Sequence, residues 1–238
     1  MRPMITSPRA LAALTACVAA IAGPATAASA DDDETPSFSA PTTIDNPYLP
    51  LSKFSRCTLK GHEGNQKLRI KRTVLDRTRT FDVEGVPVEA LVVKDRVWAN
   101  GKLIERTIDF FAQDDAGTVH YLGENVDNIR DGQVANHHGG WLYGRDTHKL
   151  GVLMPAVTHV GVHWLSEDAP PITVEHDRLV GEIPSVEVRG HTYDKAIKVR
   201  EFALPDREVE YKVYAKGVGV VDELPPEGDV GLVGCAKA

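Results

Sequence analysis

The chain has 238 residues, 42% of them hydrophobic and 26% charged, with 34 acids against 27 Lys and Arg and a formal net charge of −7. That length allows one substantial core or two small ones. The acidic balance argues against nucleic acid and against anionic lipid heads as partners, and the basic residues read as dispersed through alternating segments with no patch.

Arg2 and Arg9 precede an apolar run from Ala10 to Gly23, which is followed by Pro24 and the small residues Ala25 to Ala30. This is the pattern of a secretory signal peptide over residues 1–30, cleaved after Ala30. The run of about 14 apolar residues is too short for a bilayer core of roughly 30 Å, and no later segment approaches the length of a transmembrane helix. The mature protein is expected to be secreted or periplasmic. Leu14-Thr15-Ala16-Cys17 leaves an alternative open, a lipobox in which Cys17 becomes an acylated anchor. Residues 31–47 are acidic and Pro-rich without apolar periodicity, which predicts a disordered tether ahead of a single domain over 48–238.

From Arg56 onward the pattern is one of short alternating segments separated by turn residues, the period-two signal of half-buried strands. Leu68, Ile70 and Val74 share one face of a first long strand, and Arg69, Lys71 and Thr73 share the other. Val86 to Trp98 and Lys102 to Gln113 flank Asn100-Gly101, a hairpin signal because both residues tolerate positive φ. Asp114 to Gly117 makes the next turn and Thr118 to Leu122 the next strand. A Gly-rich, His-containing insertion at 131–157 follows, with room for one short helix that would plug or cover a mouth of the fold. Strands resume near Val160 to Ser166, Ile172 to Ile183, His191 to Phe202, Arg207 to Ala215 and Val218 to Leu224. The predicted class is all-β, an antiparallel meander closing into a barrel or half-barrel with one irregular insertion; a two-layer sandwich is the alternative. Cys57 and Cys235, the cysteines outside the h-region, are expected to pair in an oxidising compartment and to tie down the C-terminal tail.

Several segments resemble a group of uncharacterised secreted bacterial β-rich proteins. They are Asp45-Asn46-Pro47-Tyr48-Leu49-Pro50-Leu51, Asp109 to Asp114 with Gly117, Tyr121 to Asp127, Gly151 to Ala156, and Glu210 to Val221 with its Tyr-Ala-x-Gly-Val-Gly core. The resemblance implies export and a β-rich fold, and it carries no activity. The closing segment is similar, more loosely, to the last hairpin of periplasmic half-barrel lipoprotein carriers of the LolA and LolB type.

The chemistry-bearing groups point in several directions. All nine histidines lie beyond the h-region, and His137, His138 and His148 would be the ligands if a metal were held, yet no His-Glu-x-x-His or paired-Cys motif accompanies them. No metal and no cofactor are expected. Asp114-Asp115-Ala116-Gly117 with Glu124 and Asp127 has some features of a calcium loop, but its spacing is that of a hairpin turn. Ser166 and Ser185 lack a nucleophile elbow. Strand carboxylates remain: Asp95, Glu105 and Asp109 lie on adjacent strands, where they serve either as outward ion pairs or as interior acids with shifted pKa values. Which face points inward is open, because Ile104, Thr107, Ile108 and Phe110 make both faces partly apolar.

Secretion without an enzyme motif favours carriage or interaction over chemistry. The leading expectation is a protein that binds an apolar or amphipathic small molecule, or acts at the cell envelope. Asp109, Tyr121, Glu124 and Trp141 are the candidate binding residues around an apolar hollow capped by the 131–157 insertion. One alternative is a cofactor-free extracellular enzyme in which acids such as Asp109 move protons. Another is a structural or surface-interaction protein with a filled interior.

Overall fold

The structure is a computed structural model that describes residues 35–238. The expected signal peptide and the Cys17 lipobox lie outside those residues. After a 3₁₀ turn at Leu51–Lys53, five long strands run in hairpin succession: β1 (Phe54–Glu63), β2 (Gln66–Val83), β3 (Val86–Ala99), β4 (Lys102–Gln113) and β5 (Val119–Arg130). Three short strands follow, β6 (Gln133–Asn136), β7 (Trp141–Leu142) and β8 (Gly151–Met154). The second half comprises β9 (His163–Ala169), β10 (Thr173–Val188), β11 (His191–Leu204), β12 (Glu208–Ala215), β13 (Gly219–Leu224) and β14 (Gly228–Lys237).

All fourteen strands belong to one antiparallel sheet in the order β6-β5-β4-β3-β2-β1-β14-β13-β12-β11-β10-β9, with β7 and β8 added on β5. The meander is therefore not closed into a barrel, and the half-barrel expectation holds. The tail of the chain, expected to be poorly anchored, is a full strand paired with β1 in the middle of the ladder. Cys57 lies directly opposite Cys235 in that pair and is disulfide-bonded to it. Such a bond belongs to an oxidising compartment, outside the reducing cytoplasm.

The turn chemistry explains the hairpins. Asn100 and Gly101 adopt φ of 50° and 83°, the left-handed pair that a two-residue loop needs to follow the twist of its strands. Bulges then bend the sheet. Leu75, Asp76 and Arg77 of β2 stand opposite Val92 alone, between the pairs Val74↔Val93 and Thr78↔Leu91. In β5, Leu122 and Gly123 fall between the pairs Tyr121↔Phe111 and Glu124↔Asp109. Extra residues in a strand increase its coil and re-aim its side chains.

The curvature is visible in the core. Val93, Phe111 and Tyr121 from one half share a buried cluster with Leu179, Ile197, Val199 and Tyr214 from the other, although many strands separate them in the ladder. The sheet must wrap to bring them together, so this face is the inside. The tip of the β10–β11 hairpin fills one end, packing Val188 against Leu59, Val230 and Leu232. A further apolar layer lies on the opposite face, where Phe38, Leu142 and Tyr143 cover Val88, Val92 and Phe110.

Two expectations are corrected here. Residues 37–47 do not form a free tether: Ile44 is fully buried, and Asn46 donates through Nδ2 to the carbonyls of Gly117 (2.9 Å) and Pro155 (3.2 Å). Side-chain satisfaction of the backbone replaces the apolar periodicity that composition looks for. The 131–157 insertion holds no helix and instead lays β6, β7 and β8 along β5.

Candidate functional site

The four residues singled out from the sequence meet inside the half-barrel. Asp109 on β4 is opposite Glu124 on β5, and Glu124 is opposite Trp141 on β7. The Tyr121 hydroxyl donates to Asp109 Oδ1 at 2.8 Å, and Thr107 Oγ1 donates to Oδ2 at 3.1 Å. The Tyr121 ring stacks on Phe111 (4.9 Å between centroids) and meets Trp141 edge-on (5.4 Å). Trp141 Nε1 donates to Glu167 Oε1 at 3.2 Å, and the Thr173 hydroxyl donates to the other oxygen of Glu167. Gly123 makes this approach possible: with φ of 108°, a Cβ added there would lie 2.2 Å from the Trp141 carbonyl oxygen.

Burial pushes the Asp109 carboxyl up to about 7, with the neighbouring Asp95 adding to the rise while the Tyr121 hydrogen bond, Arg72 and the Thr107 hydrogen bond oppose it. Arg72 is held in place by a fork to Asp95, Nε and Nη2 donating to Oδ2 at 3.0 and 2.7 Å. Burial works against the Arg72 charge, but Asp95 outweighs it and keeps the guanidinium firmly protonated.

A second polar group, missed by the sequence reading, lies on β9 to β12. Lys212 Nζ pairs with Glu201 Oε2 at 2.6 Å, Ser166 Oγ donates to Glu175 Oε1 at 2.8 Å, and Asp177 is 3% exposed with no partner on its Oδ1. Burial raises Glu201 to about 8 against the pull of Lys212, and burial with the nearby Glu201 raises Asp177 well above the usual carboxylate range. The sequence carried a signal: Glu201 shares its parity with Ile197 and Val199 on β11, and Lys212 shares that of Tyr214 on β12. Charged residues on the apolar side of a strand are interior groups.

The expected apolar hollow is absent from this neighbourhood, because Trp141, Tyr121, Met154 and Leu49 occupy the space themselves. Between Leu49, Leu59, Arg72, Val74 and Val220 a cavity of about 30 Å³ is left, room for a water or two. The insertion does reach the interior, but it fills the half-barrel instead of capping a void.

The histidines and the acidic turn have local tasks. His137 Nδ1 lies 2.7 Å from the Val126 carbonyl, His148 packs edge-on against Tyr143, and Asp114 accepts from the Thr118 amide and meets His120. Among the described residues no three His, Cys, Asp or Glu side chains are grouped to hold a metal.

Open space lies on the outer wall. Beside the β2 bulge a groove of about 320 Å³ is lined by Val92, Ile108 and Phe110, with Arg77, Thr78 and Arg79 on one lip and Asn125 on the other. Arg79 lies over the Phe81 and Phe110 rings at 4.7 and 4.8 Å. Its desolvation, with Arg145 close by, lowers its pKa.

No family model matches the chain, and no curated protein matches it in sequence. Among solved structures it is similar to a "putative exported protein with YmcC-like fold" from Bacteroides fragilis NCTC 9343, at 12% identity, covering 78% of this chain and 96% of that one, with a TM-score of 0.43. Among the described residues no helix is long and apolar enough to cross a membrane.

Proposed function

We infer that this protein binds an amphipathic molecule with an anionic head, and that it does so on the outer wall of the half-barrel. The observation that carries this reading is the groove of about 320 Å³, where partly exposed Ile108 opens an apolar floor backed by the buried Val92 and Phe110, beside the cationic lip of Arg77 and Arg79. An alkyl chain on the floor would be removed from water, while its head would meet two guanidinium groups that form no ion pair among the described residues. The interior constellation of Asp109, Tyr121, Glu124 and Trp141 supports a ligand less well, because its rings pack on one another, Asp109 already accepts from Tyr121 and Thr107, and the Trp141 indole is spent on Glu167.

Titration with the fluorescent fatty acid cis-parinarate tests the reading. Saturable binding is expected in the wild type, weakened at least about tenfold in Arg77→Glu/Arg79→Glu, since each lost charge-assisted contact is worth about 1.5–3 kcal/mol. Equal affinity in that variant would assign any binding to another place, and no saturable binding would end the proposal.

A further inference from the structure

Strand alternation gathers the basic residues that the linear sequence disperses. On β1 to β4 the inward positions include Cys57, Leu59, Ile70, Arg72, Val93, Asp95 and Val97. The intervening positions therefore point to the outer wall. They are Arg56 and Lys60 on β1, Arg69 and Lys71 on β2, and Lys94 and Arg96 on β3, with Lys67 and Arg106 extending the field at its edges. Thr58, Thr73, Trp98 and Ile108 occupy the outward positions between them.

The register sets like charges against each other. Lys60 faces Arg69, Lys71 faces Arg96, and Arg96 faces Arg106. Like charges directly opposite in a ladder are destabilising. Of the eight, Arg106 alone has an acidic partner among the described residues, Asp127, and Arg96 Nε has no hydrogen-bond partner. Desolvation together with Arg56, Arg96, Lys94 and Arg69 lowers the Lys71 pKa. A chain with net charge −7 thus carries a cationic field on one wall, with its acidic excess elsewhere.

We propose that this wall docks on an anionic phospholipid bilayer, headgroup phosphates lying across the field on β1 to β4. Charge complementarity supplies the attraction, and two features favour a lipid surface over a nucleic acid. Trp98 lies within the field, with Arg69 3.9 Å and Arg96 5.2 Å from its ring, an amphipathic group suited to the headgroup level. The field also continues past Lys94 and Ile108 into the apolar-floored groove, which a duplex backbone has no use for. The eight basic residues of the field lie outside the groove, so the proposal holds whether or not the groove takes a free ligand.

Co-sedimentation with vesicles of phosphatidylcholine alone and of phosphatidylcholine with phosphatidylglycerol provides the test. Partition is expected only with phosphatidylglycerol, to fall with added salt, and to drop about fivefold with each of Lys71→Gln and Arg96→Gln. Both variants should unfold at the same or a higher temperature than wild type, because each relieves a repulsion, so lost binding cannot be laid to misfolding. Their parinarate affinity should stay unchanged, which separates this proposal from the groove reading. Partition independent of phosphatidylglycerol, or equal in Lys71→Gln/Arg96→Gln, would overturn the proposal. So would capture by duplex DNA where anionic vesicles are not bound.

Discussion

Asp109 is the residue where the balance of forces is best defined. Desolvation and Asp95 raise its carboxyl from 3.8 to about 7 against the Tyr121, Arg72 and Thr107 interactions. In the unfolded chain the group is ionised above about pH 4, so between roughly pH 4 and 7 the folded state binds the extra proton and stability falls as pH rises through that window. Glu201, raised to about 8, acts in the same sense and carries the decline further. Asp109→Asn keeps an acceptor for the Tyr121 hydroxyl and removes the charge. Urea unfolding should find it close to wild type near pH 4 and more stable by on the order of 2–4 kcal/mol near pH 8. An unchanged pH profile would show that Asp109 stays ionised in the fold. The sequence made Asp109 legible as a strand carboxylate; the Arg72–Asp95 pair that acts on it was not legible, because only the register sets Arg72 of β2 opposite Asp95 of β3.

At the scale of strands, Gly123 shows how one position joins the bulge in β5 to the short strand β7. Gly123→Ala would put a methyl on the Trp141 carbonyl at a φ of 108°, and the cost should be about 3 kcal/mol or more, read as a lower urea midpoint with loss of Trp141 fluorescence shift. A neutral result would mean that β7 is free to move off β5. The hairpins around Asn100-Gly101 were readable because turn chemistry is local. β6 to β8 were not, since a two-residue strand such as Trp141–Leu142 has no period to detect. The inward face of β3 and β4 was unreadable for a different reason: near the groove both faces are covered, Phe111 by the interior and Phe110 by the Phe38, Leu142 and Tyr143 layer. Bulges at Leu75–Arg77 and Leu122–Gly123 then shift the parity on which such a reading depends.

For the molecule as a whole, the Cys57–Cys235 bridge fastens strands that are 178 residues apart in sequence. Cys57→Ala/Cys235→Ala should lose about 2–5 kcal/mol of stability by denaturant unfolding, the usual range for a bridge across a long loop. A loss below that range would mean that the β1–β14 ladder and its Leu59–Leu232 packing suffice alone. The same seam has a consequence for assembly. Every other main pairing, from β1 through β6 and from β9 through β13, joins neighbours in sequence, and β13 meets β14 through only the pairs Asp222↔Gly231 and Glu223↔Val230. The nascent chain can build two independent zippers of local contacts as it emerges, each with little loop entropy to overcome. It is the last of these strands to emerge that inserts at the centre and joins the two ladders, so until Val230 and Leu232 are delivered the backbone of β1 remains an open edge, and the time spent waiting there is the interval in which neighbouring copies pair instead.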